Sequence, residues 1–159
     1  MADLLNDGNS RVYWVASGGI ANIAAPTTTE LNAGVRLDQL LTPDGLKEDS
    51  STADIDLSFL SSTFNTASAG RRKFDIAVVA KRQTPTDTVL NLLPYRTSGY
   101  LVVRDTVDAN TAWTAAQKCR VYPVQTGEPM MAAKTENSVA RFTSPMYMTA
   151  EPNTSATVA

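Results

Sequence analysis

A chain of 159 residues with 43% hydrophobic and 19% charged residues has the size and composition of one soluble globular domain, large enough to bury a core without staples. One cysteine excludes an intrachain disulfide, and the absence of histidine removes the commonest general base, the commonest metal ligand and every Ser-His or Cys-His nucleophile. The formal net charge of −2 predicts no strong pull on nucleic acid.

The opening residues 1–7 lack the basic start and apolar stretch of a signal peptide, so synthesis in a cytoplasm is expected. The longest apolar runs, such as 76–80, are too short to span a bilayer. Charge is unevenly spread. Residues 1–60 hold nine acids against three bases, and residues 61–159 hold eleven bases against seven acids. Chance accounts for such an imbalance, and so do complementary faces that meet between subunits.

In chain order, residues 1–10 form a polar, turn-rich N-terminal arm around Asn6-Asp7-Gly8-Asn9-Ser10. Arg11 to Val15 is a short β-branched and aromatic strand, ended by Ser17-Gly18-Gly19. Thr27 and Glu30 stand at capping-box spacing before Leu31, so a helical turn starts there and stops near Gly34. Val35 to Asp38 alternates as a short strand. Residues 42–53 are polar, carry a Pro-Asp-Gly turn signal and read as a long exposed loop. Asp54 to Phe59 alternates strictly, which predicts a half-buried strand, and residues 61–71 read as a small-residue loop.

The strongest strand is 72–80, with Phe74, Ile76, Val78 and Ala80 on one face. Thr84 to Leu93 reads as the one short helix, closed by Pro94. Ser98 to Arg104 is a strand, and so is 118–125, where Pro123 predicts an edge or a bulge. A final strand runs over 138–149. Residues 151–159 form a small polar C-terminal arm, expected to be free in the monomer. Six or seven strands with one flanking helix and long loops predict a mainly β domain over 11–150, as a two-sheet sandwich or barrel-like fold.

Chemistry is sparse, and no catalytic residue, metal ligand set or cofactor site is predicted. Gly18-Gly19 lacks the Gly-Lys-Ser/Thr that makes a phosphate loop. Asp54 and Asp56, with Ser58, share one strand face, the carboxylates roughly 6–7 Å apart at Cβ. Such a pair suits a glycosidase or a calcium site, whereas a solvated strand face is the plainer account. Asp44, Glu48 and Asp49 miss the spacing of a calcium loop and read as a charged loop. Arg71, Arg72 and Lys73 with Lys81 and Arg82 form the one basic cluster. It is either a solubilising flank that blunts edge pairing or an acceptor for a neighbour's acidic half. Cys119, Trp14, Trp113 and Met130-Met131 read as packing residues.

A resemblance emerges in the C-terminal half. Val121-Tyr122-Pro123-Val124-Gln125-Thr126-Gly127-Glu128-Pro129 precedes Glu136-Asn137, Ala140-Arg141-Phe142 and a methionine-rich strand into Thr149-Ala150-Glu151-Pro152. With Arg11 to Val15, Arg72 to Ile76, Thr86 to Leu93 and Gly99 to Arg104, this resembles the major tail tube proteins of long-tailed, non-contractile bacteriophages across residues 11–152. The resemblance implies a structural, non-enzymatic virion protein made in the host cytoplasm. It implies two packed sheets with a flanking helix, and hexameric rings stacked through a long loop and the termini. It also implies a lumen that passes double-stranded DNA without binding it. The implied partners are further copies, a tape measure protein, and tail terminator and distal tail proteins. On that footing Asp54, Asp56 and Ser58 are lumen candidates. Asp44, Lys47, Glu48 and Asp49 are ring-stacking candidates, and the basic cluster is an inter-subunit patch. Two alternatives stand beside it: a head–tail completion or decoration protein of a phage, and a small carbohydrate-binding or hydrolytic β-domain.

Overall fold

The computed structural model describes residue 4 and residues 7–159. Strand β1 (Arg11–Ala16) leads to helix α1 (Thr28–Asn32) and the short β2 (Val35–Arg36). Two long strands follow, β3 (Leu41–Asp56) and β4 (Ala67–Lys81), and then helix α2 (Thr88–Leu92). The remainder is β5 (Ser98–Arg104), β6 (Lys118–Thr126), β7 (Met130–Met131), β8 (Arg141–Met148) and β9 (Asn153–Thr157). The fold is mainly β, as expected. Its nine strands form one open antiparallel sheet in the order β2-β1-β5-β6-β8-β4-β3, with β7 on β8 and β9 on β6.

The sheet curls on itself. Val12, Trp14, Leu101 and Val103 of β1 and β5 share one buried cluster with Ile76, Val78, Phe142 and Met146 of β4 and β8. Val89 and Leu93 at α2 close that cluster. The intervening residues Tyr13, Val15, Val102, Cys119 and Val121 point the other way, into a second cluster with Leu31 of α1, Trp113, Ala156 and Val158. β1, β5 and β6 are therefore covered on both faces, which is why Leu101-Val102-Val103 is apolar without alternation.

α1 starts as the sequence dictates. The Thr27 hydroxyl accepts the Glu30 N–H at 3.3 Å, and the Glu30 carboxylate accepts the Thr27 N–H at 2.7 Å. There are two short helices where one was expected, α1 being a complete turn with its own cap.

Other expectations are corrected. Residues 42–53 are strand, belonging to β3, which pairs with β4 in a long hairpin. Their polarity reflects exposure of the strand and not a loop. The Pro-Asp-Gly signal marks a bulge between Leu41 and Leu46, where the β4 partners advance only from Ala80 to Val78. Gly45 is required there, because a Cβ would collide with the Val79 carbonyl oxygen. The Asp54–Phe59 strand stops at Asp56 and is not half-buried, and β4 begins at Ala67, within the expected loop.

Pro123 lies in a central strand. β6 pairs with β5 on one edge, and on the other with β9 as far as Val121 and with β8 from Val124. The Pro123 carbonyl accepts the Thr149 N–H at 3.0 Å, so its N–H-less nitrogen faces the gap where one partner strand hands over to the next. The C-terminal arm is docked and not free: β9 pairs with β6, and Ala156 and Val158 are buried. Of the N-terminal arm, residues 1–3 and 5–6 lie outside the described residues, and the Gly8 carbonyl accepts the Ala109 N–H at 2.7 Å.

Candidate assembly surface

Among the described residues no three or more Asp, Glu or Cys side chains converge as a metal site requires. No helix among them is long and apolar enough to cross a membrane. The conspicuous surface is the β3–β4 hairpin. β4 is flanked by β8 only from Ile76 to Lys81, and from Asp75 back to Ala67 it is paired on its β3 side alone among the described residues. β3 ends the strand order, so its outer edge carries no strand. The hairpin thus stands clear of the body with both edges open, a template for pairing with another chain.

Its tip is apolar. Phe59 is 79% exposed and Phe64 75% exposed, with Ile55, Leu57 and Leu60 exposed beside them. No charged residue lies between Asp56 and Arg71. Sequence reasoning missed this tip because serine and threonine around it suggest a polar turn. The available signal was the charge-free stretch itself. A bulge near the tip sets its direction, since Thr52 faces Arg72 and Asp54 faces Ala69. Gly70 sits in that bulge, where a Cβ would come 2.9 Å from the Ala53 carbonyl oxygen.

The lumen candidates Asp54 and Asp56 lie together on this hairpin, exposed, with Ser58 partly covered. The Ser58 hydroxyl and its N–H, the latter at 2.8 Å, hold the Asp56 carboxyl below its ordinary range. The stacking candidates do not form one patch. Glu48 turns inward and accepts two hydrogen bonds from Arg120 of β6, at 2.9 and 2.8 Å. Lys47 and Asp49 pair on the outer face at 3.4 Å, and Asp44 stays exposed in the bulge.

The basic cluster is split along β4. Lys73 and Lys81 are eight residues apart, roughly 26 Å in a strand. Arg72 pairs with Glu151 and Lys73 with Asp75 at 3.2 Å, while Arg71 is exposed. Arg82 pairs with Asp87 at the start of α2, and Lys81 is partly covered. One ion pair, Glu48–Arg120, joins the acidic first 60 residues to the basic remainder of the chain.

Arginine also organises the body. Arg104 is fully buried and donates to the carbonyls of Asp108, Thr111 and Ala112 and to Gln117, at 2.7–3.3 Å. Arg36 holds the Ala109 carbonyl at 3.1 Å, and Arg11 holds that of Thr111. The guanidinium carbons of Arg11 and Arg104 lie 5.6 and 4.9 Å from the Trp113 ring centre. Burial and the neighbouring cations Arg11 and Arg36 push the Arg104 pKa down. Three arginines thus fix the 105–117 segment, a role that nothing local in the sequence announces.

A groove of about 860 Å³ opens where β4 and β8 part, lined by Phe74, Ile76, Met146, Tyr147 and Met148, with Lys47, Arg72 and Lys73 among its further lining residues.

Among solved structures, a chain in the cryo-EM structure of the anti-feeding prophage (AFP) baseplate, 6-fold symmetrised, superposes with a TM-score of 0.59 at 9% identity, covering 96% of each chain. That likeness shows a shared fold. No curated protein matches the sequence. The family model for phage tail tube proteins matches residues 1–159, the full length, so the chain belongs to the phage tail tube protein family.

Proposed function

We propose that this chain assembles with its own copies into stacked hexameric rings that form the tube of a long, non-contractile phage tail, a conduit for genome DNA. Family membership makes it a structural component of the virion tail. The hairpin with two open backbone edges is the observation that carries the finer reading, because such edges complete their ladders across subunits. The neighbouring baseplate is described as six-fold symmetrised, and a subunit of the same fold suits the same order. The chain has no histidine and a single buried cysteine, which fits a role without catalysis. In this reading Asp54, Asp56 and Ser58 face the lumen, where fixed negative charge keeps passing phosphates from sticking. Assembly takes place in the host cytoplasm around a tape measure protein, between terminator and distal tail proteins.

Electron microscopy of the concentrated chain, alone and with its tail partners, tests the proposal. Tubes or stacked rings with six subunits per ring are expected. A species that stays monomeric at every concentration and with every partner overturns it. A single non-stacking ring favours a completion protein.

A further inference from the structure

Arg11 and Arg104 are direct partners across the β1–β5 ladder, so their side chains leave the same face of the sheet. Like charges directly opposite one another are unfavourable even at a solvated surface. Here Arg11 is 7% exposed and Arg104 is fully covered. Their guanidinium groups meet, since both donate to the Thr111 carbonyl and both lie against the Trp113 ring. The bonds these two cations make end on carbonyl, amide or phenol oxygens: Arg11 on Thr111 and Tyr13, Arg104 on Asp108, Thr111, Ala112 and Gln117. Among the described residues no carboxylate forms an ion pair with either, and the nearby Asp38 is held by Arg36. Burial and then the adjacent Arg11 lower the Arg104 pKa, as befits a cation without a counter-ion.

Among the described residues five buried side-chain polar atoms lack a hydrogen-bond partner, and three of them belong to this cluster: Nε of Arg11, Nε of Arg104 and Nε1 of Trp113. All three are N–H donors, so what they lack is an acceptor. We infer that a small monatomic anion, chloride, binds between Arg11, Arg104 and Trp113. Charge and cover select this occupant. A water molecule would accept the same bonds but would leave two buried cations facing each other without counter-charge. A carboxylate of another copy has no way in, because the two arginines and Trp113 are each more than nine-tenths covered by their own subunit. Three N–H donors suit a monatomic ion, whereas the four oxygens of phosphate or sulfate would outnumber them. The bound ion completes the clamp on the 105–117 segment, because its ligands come from β1, from β5 and from that segment itself.

Thermal unfolding of the full chain in sodium chloride against sodium gluconate, at equal ionic strength, reads the binding. A ligand held only by the folded state raises Tm by mass action. The Tm should rise with chloride concentration. Arg11→Gln should lose that rise, and Lys134→Gln, at an exposed position, should keep it. A Tm indifferent to chloride, a rise that survives Arg11→Gln, or a rise lost equally in Lys134→Gln overturns the inference. Crystals of the wild-type chain grown in sodium bromide give a second measurement that needs no variant, and they decide the matter should Arg11→Gln fail to fold. An anomalous bromide peak in contact with Nε of both Arg11 and Arg104 is expected. An ordered water at that place, or no peak there, overturns the inference.

Discussion

Glu48 and Arg120 are 72 residues apart, and their paired hydrogen bonds pin the base of the projecting hairpin to the central strand of the body. Arg120 also reaches Asp105 at 2.7 Å. Burial opposes the guanidinium charge, but the bonds it donates to Glu48 and Asp105 more than offset this and raise its pKa. The same pin affects Tyr122, whose pKa is raised by burial and by the facing Glu48.

Breaking the pin should loosen the hairpin before it unfolds the body. Arg120→Ala should cost about 2–3 kcal/mol, since it strands two carboxylates that are largely covered. A double-mutant cycle with Glu48→Ala should give a coupling of roughly 1–3 kcal/mol in urea unfolding. A coupling near zero would show that the two side chains are held apart in solution.

Arg104→Lys should destabilise by about 3 kcal/mol although it keeps the charge. An ammonium on a flexible stem cannot reach the carbonyls of Asp108, Thr111 and Ala112 in the fork geometry that the guanidinium supplies. Amide hydrogen exchange should accelerate first across 105–117. Uniform acceleration over the whole chain would count against a local clamp.

The α1 cap carries a pH dependence. Backbone hydrogen bonds from Thr27 and then Ala21 lower the Glu30 pKa below 4.5. A group with a depressed folded pKa stabilises above its unfolded value, and the contribution is lost as pH falls through the folded value. Stability should therefore drop as pH falls below about 4.5, and Glu30→Gln should remove that part of the drop. Thr27→Ala should cost about 1 kcal/mol at neutral pH. Thermal unfolding between pH 3 and 7 reads both.

Cys119 is 3% exposed, and burial pushes its thiol from 9.0 up to about 11, against the opposing pull of Arg104, Arg120 and Lys118. A thiol reagent at pH 8 should leave the native chain unmodified and label it on unfolding. Because the folded pKa is raised, the thiol's contribution is full below pH 9 and is lost as pH rises toward 11. Cys119→Ser should leave assembly intact at a modest stability cost. Rapid native labelling would place the thiol at an open surface.

The lumen assignment is tested by Asp54→Lys with Asp56→Lys. Both positions are exposed, so the fold should persist. Tubes of the variant should bind DNA fragments at low salt and release them as salt rises, because counterion release drives such binding. Virions carrying it should eject DNA slowly. Unchanged ejection would put the two carboxylates on the outer wall, and loss of assembly would put them in a subunit contact.

Short-range order was legible in the sequence alone. The Thr27–Glu30 capping box, the strands that start at Arg11, Ser98 and Lys118, and the mainly β class all depend on neighbours a few residues away. Tertiary structure decided everything that turns on distant partners. Polar residues 42–53 are strand because β4 supplies the ladder, and an exposed hairpin needs no apolar alternation to hold it. The small, polar tail docks because β6 leaves an edge open between its pairings, and Ala156 and Val158 are enough to seal it. Pro123 is tolerated at the centre of the sheet because two different strands hand over beside it. The same distinction governs the assembly surface: composition reveals a charge-free stretch at 57–70, and only the path of β3 and β4 places its phenylalanines beyond the reach of their own core.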